Sequence, residues 1–170
     1  MISFLIILHL ASAFFYGFGV EALLPALIAV ATTTLLDLGI EYFKSKELIF
    51  PQSALISGLF IAGLLTQNLQ WYVYVTAGII AVASKHLIKF QQKHVFNPAN
   101  FGVLIVSMIF GVSHSWWVSS NLILVLLFGI FIIYRLRRFD LTVSFLVAYY
   151  IFNSIIEVPR GMMSHHSYMM

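Results

Sequence analysis

The chain has 170 residues, of which 61% are hydrophobic and only 9% charged, with a net charge of +3 and a mean hydropathy of +0.98. A soluble domain carries about 25% charged residues, so this composition excludes a soluble globular domain and predicts an integral membrane protein. The basic residues lie in short clusters between apolar runs, a pattern of membrane topology that gives no indication of nucleic acid binding, and the absence of cysteine excludes disulfides and thiolate metal sites.

Two apolar runs, residues 2–18 and residues 23–40, open the chain. No basic region precedes the first run, so we expect a first span or a signal anchor and not a removed signal peptide. The second run is long enough to span, and Asp37 and Glu41 stand one helical turn apart near its end. Acids inside a membrane are functional candidates. The alternative is a surface pair neutralised by Lys44, which we favour for Glu41 and leave open for Asp37.

Two later apolar elements, residues 53–65 and residues 101–112, are short for a full span, and a polar start that contains a proline precedes each. Paired short segments interrupted by glycine or proline are typical of a site near the bilayer midplane. Half-helix N-termini carry free N–H groups and partial positive charge, which suit a phosphate, a carboxylate or a flavin carbonyl. The alternative is two ordinary short helices in a thin, tilted bundle.

The polar stretch QQKHVFNPANFG, residues 91–102, follows the fourth apolar run at residues 73–90. Its Asn97-Pro98 pair breaks a helix, because proline lacks a backbone donor and restricts the residue before it. In hydrocarbon a broken helix is tolerated only inside protein or beside a water-filled cavity. The stretch is therefore either a binding site or a cytoplasmic loop, and His94 is either a contact for an anion or cofactor or an interfacial histidine.

The last two apolar runs are residues 122–134 and residues 141–156. The positive-inside rule gives one consistent path, with the N-terminus and the basic loops in the cytoplasm. We therefore predict an all-α integral membrane fold, a polytopic bundle of about six to seven hydrophobic segments including two short broken or re-entrant helices. One transmembrane domain, residues 1–157, precedes a polar C-terminal tail, residues 158–170.

The remaining polar residues give no sign of a hydrolytic or metal site. Topology and the cation-attracting C-terminus of a helix explain Lys85, His86 and Lys89 without any function. Adjacent His165 and His166 are a poor chelating pair, so we assign no metal. No Ser/His/Asp arrangement, phosphate-binding glycine loop or zinc-protease motif is present.

Three stretches together resemble the RnfD/NqrB family: SALISGLFIAGLL at residues 53–65, the helix that ends in Lys85, and KHVFNPANFG at residues 93–102. These proteins are the flavin-carrying membrane subunits of Rnf-type electron transport complexes and of Na+-translocating NADH:quinone reductase. The resemblance extends in order and hydropathy over residues 17–152. His94 and Asn100 are similar to the short RnfD-like branch, and the chain matches the first half of the family.

This resemblance implies broken helices in an inverted-repeat fold similar to urea transporters, and flavin-linked electron transfer coupled to sodium or proton movement. Other membrane electron-transport subunits or a homo-oligomer are the implied partners, in the cytoplasmic membrane of a prokaryote. The family motif marks the residues that would shape the half-helix openings, and with His94 they are our cofactor-binding candidates: Ser57, Gly58, Phe96, Asn97, Pro98 and Gly102.

The chain departs from the family in two ways. Family members attach FMN to a threonine in a Ser-Gly-Ala-Thr type motif, which this chain lacks, since ATTT at residues 31–34 does not match. The second repeat is also largely missing. We therefore expect FMN or riboflavin to bind non-covalently, with a dimer interface as one place for it.

Two functions from different classes follow. The first is a membrane subunit of a flavin-linked electron transport system, at most a redox subunit of a larger oxidoreductase complex. The alternative is a small channel or transporter for a polar solute, which uses the broken-helix pocket without redox chemistry. A scaffold with neither activity is a third interpretation.

Overall fold

A computed structural model describes residues 1–47, 50–90, 93–94, 96–119, 122–137 and 139–166. These residues form mainly α-helices, which confirms the helical part of the fold prediction. The helices are α1 (Ile2–Phe15), α2 (Leu23–Ser45), α3 (Gln52–Leu64), α4 (Trp71–Leu87), α5 (Pro98–Phe110), α6 (Leu122–Leu136) and α7 (Phe139–His166). Two single 3-10 turns lie at Val20–Ala22 and Trp117–Ser119.

The described residues also include a two-residue antiparallel ladder between α4 and α5, which leaves the predicted all-α class unchanged. Strands β1 (Lys89–Phe90) and β2 (Lys93–His94) pair Lys89 with His94 and Phe90 with Lys93. The fourth apolar run was expected to continue to residue 90, whereas α4 ends at Leu87. The ladder offers the backbone beyond that point hydrogen-bond partners that replace those of a helix.

The chain divides into two compact units, Met1–Val125 and Leu126–Met170. In the second unit α7 continues to His166, beyond the apolar run at residues 141–156 that predicted it. A single transmembrane domain at residues 1–157 followed by a polar tail at residues 158–170 stays a prediction.

The core of the first unit joins α2, α3, α4 and α5 through small residues. Ala29, Ala62 and Ala77 are fully buried. Two glycines show how closely the helices approach: a Cβ on Gly58 would lie 2.6 Å from Val30 Cα, and one on Gly102 would lie 2.4 Å from Ala77 O. No side chain fits at either point without moving a backbone, so α3 lies directly on α2 and α5 on α4.

Local sequence explains where α5 begins and ends. The Asn97 side chain accepts hydrogen bonds from Ala99 N at 3.1 Å and Asn100 N at 3.4 Å, and Pro98 occupies the first turn, where its missing N–H costs nothing. Gly111, at φ +63°, ends the helix in the left-handed conformation. This cap places the start of α5 three residues before the apolar element predicted at residue 101.

Helix α3 ends against other protein groups. Ser115 N donates to Leu64 O at 2.8 Å, and Trp117 Nε1 donates to Ala62 O at 2.8 Å. These bonds satisfy carbonyl groups that the last turn of a helix otherwise leaves without partners. With 13 residues each, α3 and α5 are about 20 Å long, shorter than the ~30 Å hydrocarbon core. Their predicted shortness is confirmed, and their re-entrant character stays a prediction.

One helical stretch among the described residues, Val20–Ser45, is both long and apolar enough to cross a membrane. Shorter apolar helices lie at Ile2–Phe15, Gln52–Leu64, Pro98–Phe110 and Leu122–Arg135. The number of membrane crossings therefore stays a prediction.

Candidate functional site

A buried carboxylate on α2 binds two consecutive side chains from the end of α4. Asp37 is 1% exposed, Lys85 Nζ lies 2.7 Å from its Oδ2, and His86 Nε2 lies 2.7 Å from its Oδ1. Close packing of the two helices makes this reach possible, because a Cβ on Gly78 of α4 would lie 3.0 Å from Thr32 Cγ2 on α2. Both oxygens of Asp37 therefore have a nitrogen partner.

Three further residues extend this contact towards the surface. Lys85 Nζ also donates to Ser53 Oγ at 2.8 Å, in the first turn of α3. On the other side, His86 Nδ1 lies 3.1 Å from Lys44 Nζ and 3.9 Å from Glu41 Oε1. We refer to this group as the Asp37 cluster; its members are Asp37, Glu41, Lys44, Ser53, Lys85 and His86.

The partners of His86 define its protonation pattern. A carboxylate only accepts, so Nε2 donates to Asp37; an ammonium only donates, so Nδ1 accepts from Lys44. A neutral imidazole with its hydrogen on Nε2 satisfies both contacts. Glu41 Oε1 lies 3.9 Å from the same Nδ1, beyond hydrogen-bond distance. The ring thus connects a buried acid with an exposed lysine and a partly exposed glutamate.

The charges in the cluster balance. Two carboxylates, Asp37 and Glu41, face two ammonium groups, Lys44 and Lys85, around a neutral His86. Burying a carboxylate without such a partner costs roughly several kcal/mol of lost hydration free energy. The pair with Lys85 offsets this cost and makes an ionised Asp37 tolerable inside the unit.

The same atoms have the spacing of a cation site, because one ligand atom each from Asp37, Glu41 and His86 lies within 4.8 Å of the others. Lys85 and Lys44 already donate to two of these three side chains. A divalent cation would add two positive charges to a neutral group and compete with both amines. The two ammonium groups therefore disfavour metal binding at these three side chains.

Of the predicted cofactor-binding residues, Gly58 on α3 and Gly102 on α5 have packing roles, and Ser57 bonds within its own helix. Ser57 Oγ donates to Ser53 O at 3.0 Å within α3. Gly58 and Gly102 are the contact points of α3 with α2 and of α5 with α4. These contacts do not test whether the three residues also shape a half-helix opening. That role stays a prediction.

The remaining predicted residues lie in β2 and at the start of α5. Phe96 is half exposed and stacks on Phe101, with ring centroids 5.3 Å apart, and the exposed Asn97 caps the helix that Pro98 begins. His94 belongs to β2, and its side chain lies outside the described part of the chain. Helix α5 packs against α3, so the two predicted half-helices are neighbours. A cofactor contact of these residues stays a prediction.

Sequence reasoning missed the role of Lys85 and His86. Their place at the end of a basic helix explained them without any function, whereas both bind Asp37. A signal was present, since an acid within an apolar run requires a cationic or hydrogen-bonding partner somewhere in the fold. Nothing in the sequence alone indicated which of the lysines that partner was.

Comparison with known proteins identifies the family of this chain. The model of the NQR2, RnfD, RnfE family matches residues 1–121, which contain α1 to α5 and the whole Asp37 cluster. A protein of Aliivibrio salmonicida (strain LFI1238), named as a subunit of an ion-translocating oxidoreductase complex, is 28% identical over 120 residues, 68% of this chain and 34% of that protein. The chain thus matches about a third of the length of this curated relative, and no solved structure matches it. The family match covers well over half of the chain and confirms the resemblance predicted from its motifs: the chain belongs to the NQR2, RnfD, RnfE family.

Proposed function

We propose that this chain is a multi-pass membrane subunit of a flavin-linked, ion-translocating electron transport complex. Family membership supports a role as a subunit of such a complex. The similar protein from Aliivibrio salmonicida is named as part of an ion-translocating oxidoreductase complex. The observation that carries the proposal is the buried, charge-balanced Asp37 cluster within the family-matched residues. Other membrane electron-transport proteins, or a second copy of the chain, are its partners in this proposal.

In this function the Asp37 cluster moves a proton between the surface and the interior. A proton that arrives at His86 Nδ1 displaces Lys44, and the hydrogen on Nε2 passes to Asp37 Oδ1, 2.7 Å away. The imidazole then holds its hydrogen on Nδ1, with the charge of Glu41 3.9 Å away. The neutralised Asp37 weakens its ion pair with Lys85, which frees the amine that also binds α3 at Ser53.

The starts of α3 and α5 are the places where we expect FMN or riboflavin to bind without a covalent bond. Lys85 lies beside the first turn of α3 through Ser53, so a phosphate or carbonyl oxygen would meet positive charge there. The amides of Gln52 and Ala54 already donate to the carbonyls of Phe50 and Pro51. The start of α5 offers the half-exposed ring of Phe96 for stacking. In this proposal Asn97 mainly supports the helix, since its side chain already holds two of the amides.

The orientation follows from the basic residues. In the proposed topology the N-terminus, the loop after α2 and the β1–β2 hairpin lie in the cytoplasm of a prokaryote. The Asp37 cluster then opens on the cytoplasmic side, because Lys44 stands in the last turn of α2 and Lys85 and His86 in the last turn of α4.

The absorption spectrum of the purified full chain tests the flavin part of the proposal. The chain is purified in detergent, incubated with FMN or riboflavin, freed of excess ligand by gel filtration and then precipitated with acid. We expect flavin absorbance with the folded chain and its release into the supernatant. Absorbance in the pellet would contradict non-covalent binding. A chain that stays colourless would contradict the redox role and move the solute channel to first place.

A matched pair of variants locates the flavin. Phe96→Ala removes the half-exposed ring at the start of α5, and Phe145→Ala removes an exposed ring on α7 in the second unit. The proposal predicts weaker flavin retention in the first variant alone. Equal retention in both would place the flavin elsewhere.

A further inference from the structure

A cavity of about 340 Å³ lies in the first unit where α2 begins, about 20 Å along that helix from Asp37. Small-molecule sites have volumes of about 300–1,000 Å³. Two segments provide the lining, residues 18–28 around the start of α2 and residues 67–74 around the start of α4. The cavity is therefore large enough for a small molecule, and its lining contains no residue of the Asp37 cluster.

The lining combines one carboxylate with three side-chain amides. Glu21 provides the carboxylate, and Gln67, Asn68 and Gln70 provide the amides. Glu21 is an exposed residue, so a ligand can reach it. The two lining segments contain no lysine, arginine or histidine, and Glu21 takes part in none of the ion pairs among the described residues. The cavity thus has a net negative charge and four side chains whose oxygens accept hydrogen bonds.

The start of α2 offsets this negative charge only in part. A helix N-terminus carries about half a positive charge, whereas the ionised carboxylate of Glu21 carries a full negative charge. The same dipole stabilises an acid in the turn before α2, which is a structural reason for Glu21 at this position. It does not explain the amides and aromatic rings that share the cavity. An excess of negative charge remains to attract a cation.

Two aromatic side chains, Phe18 and Trp71, give the cavity apolar walls, and other rings support both. Phe18 makes an edge contact with Trp117 at 5.5 Å between centroids, and the Trp117 indole donates to Ala62 O at 2.8 Å. Trp71 contacts Tyr72 at 6.1 Å between centroids. Aromatic rings attract cations and also make apolar contacts with methyl groups. The cavity therefore matches a cation that carries apolar groups.

Hydrogen bonds fix the two turns that border the cavity. In the turn before α2, Gly19 N donates to Ala13 O at 3.0 Å, and Ala22 N donates to Gly19 O at 3.2 Å. Beside the turn before α4, the Tyr74 hydroxyl donates to Thr66 O. A preformed site loses less conformational entropy on binding than a flexible one does. These bonds therefore favour binding without a rearrangement of the backbone.

We propose that this cavity binds a small organic cation, whose ammonium group pairs with Glu21 and whose apolar part lies against Phe18 and Trp71. A neutral molecule of the same shape lacks the attraction to the carboxylate and to the rings, so it binds more weakly. The ammonium group belongs either to a free molecule or to a phospholipid headgroup. The proposal uses no residue of the Asp37 cluster and stands independently of the proposed electron transport function.

The experiment compares choline with 3,3-dimethylbutan-1-ol, a neutral molecule in which a carbon atom replaces the nitrogen. The full chain is purified in dodecyl maltoside, an uncharged detergent without an ammonium group. Binding is followed by saturation transfer from the protein to the methyl protons of each compound. We expect choline to bind about fivefold to thirtyfold more tightly, the range of one exposed ion pair together with one cation–π contact. Equal binding of both, or binding of neither, would overturn the proposal.

A matched pair of glutamate variants tests the charge. Glu21→Gln keeps the shape of the side chain and removes its charge, so choline should lose most of its advantage over the neutral alcohol. Glu47→Gln, at an exposed residue after α2, is the control and should keep that advantage. An unchanged preference for choline in Glu21→Gln would overturn the pairing.

A second pair of variants tests the apolar wall and keeps the proposal testable where Glu21→Gln does not fold. Trp71 is 63% exposed, so Trp71→Ala leaves the core intact and should weaken the binding of both compounds. Tyr150→Ala, at a ring that is 75% exposed on α7, is the control and should change neither. Unchanged binding by Trp71→Ala would contradict the proposed site.

The source of the ammonium group is tested in nanodiscs with a constant fraction of phosphatidylglycerol. The other lipid is either phosphatidylethanolamine, which has an ammonium headgroup, or glucosyl diacylglycerol, which has none. Weaker choline binding in the phosphatidylethanolamine discs alone would support a lipid headgroup as the occupant, because the headgroup competes with choline. Equal binding in both would support a free cation.

Discussion

Asp37 Oδ1 and His86 Nε2 lie 2.7 Å apart, although 49 positions separate the two residues in the chain. The contact joins an apolar helix to the basic end of another. It gives the carboxylate a donor that can also transfer a proton. A lysine holds its proton much more tightly than a histidine does. The contact connects Asp37 through the His86 ring to Lys44 near the surface.

Loss of Lys85 should destabilise the fold through Asp37. Lys85→Met leaves a carboxylate that is 1% exposed without its ammonium partner, and breaking a buried pair in this way costs about 3–5 kcal/mol. The double variant Asp37→Leu/Lys85→Met should recover most of this loss because no charge stays buried. Thermal unfolding of the detergent-solubilised chain measures both. Lys46→Met, at an exposed residue after α2, is the control, and a loss no larger than that of Lys46→Met would contradict the account.

The ring of His86 should be neutral with its hydrogen on Nε2. This tautomer is required because Asp37 accepts at Nε2 and Lys44 donates to Nδ1. In Lys44→Met the Nδ1 atom loses its donor, so we expect a change at Nδ1 and little change at Nε2. Nitrogen chemical shifts of ¹⁵N-histidine, assigned with His86→Gln, report the tautomer directly. A ring with its hydrogen on Nδ1 in the unmodified chain would exclude the proposed direction of transfer.

Gly102 should not tolerate a side chain. A Cβ there would lie 2.4 Å from Ala77 O, a backbone atom that cannot move without shifting α4. Gly102→Ala should therefore lower the free energy of unfolding by about 1–3 kcal/mol. Gly129→Ala in α6 is the matched control, since a Cβ there meets nothing within 4 Å and alanine favours a helix by up to about 1 kcal/mol. Equal thermal stability of the two variants would show that α4 and α5 are not packed as described.

Asn97 should contribute to stability as a helix cap, whatever its part in cofactor binding. Asn97→Ala removes the acceptor for Ala99 N and Asn100 N and should cost about 1 kcal/mol. Asn97→Asp keeps a capping oxygen and should retain most of the stability. If flavin retention falls in both variants while stability falls only in Asn97→Ala, the side-chain amide itself contacts the flavin; unchanged retention in both would leave Asn97 a purely structural role.

The parts of the fold that depend on local sequence were predictable. The Asn97-Pro98 pair marks the start of α5 because both residues act on their immediate neighbours, and α3 followed from an apolar run of matching length. The ladder at Lys89 and His94 was not predicted, since a two-residue pairing leaves no periodic signal.

The site was predictable only in part. Asp37 was a candidate because an acid in an apolar run demands a partner, but the partner is set by how closely Gly78 lets α4 approach α2. The buried Nε2 of His9, which has no hydrogen-bond partner among the described residues, had no sequence signal at all. Its burial and its missing partner depend on side chains from other helices, and only the packed structure brings those together.

The chain is proposed to work in a flavin-linked electron transport complex. The most direct test is a dithionite-reduced minus oxidised visible difference spectrum of the assembly isolated with the tagged full chain from its native membranes. We expect loss of the flavin bands on reduction and the presence of further redox proteins in the same particle. A particle that holds the chain but shows no redox-active chromophore would contradict the proposed function.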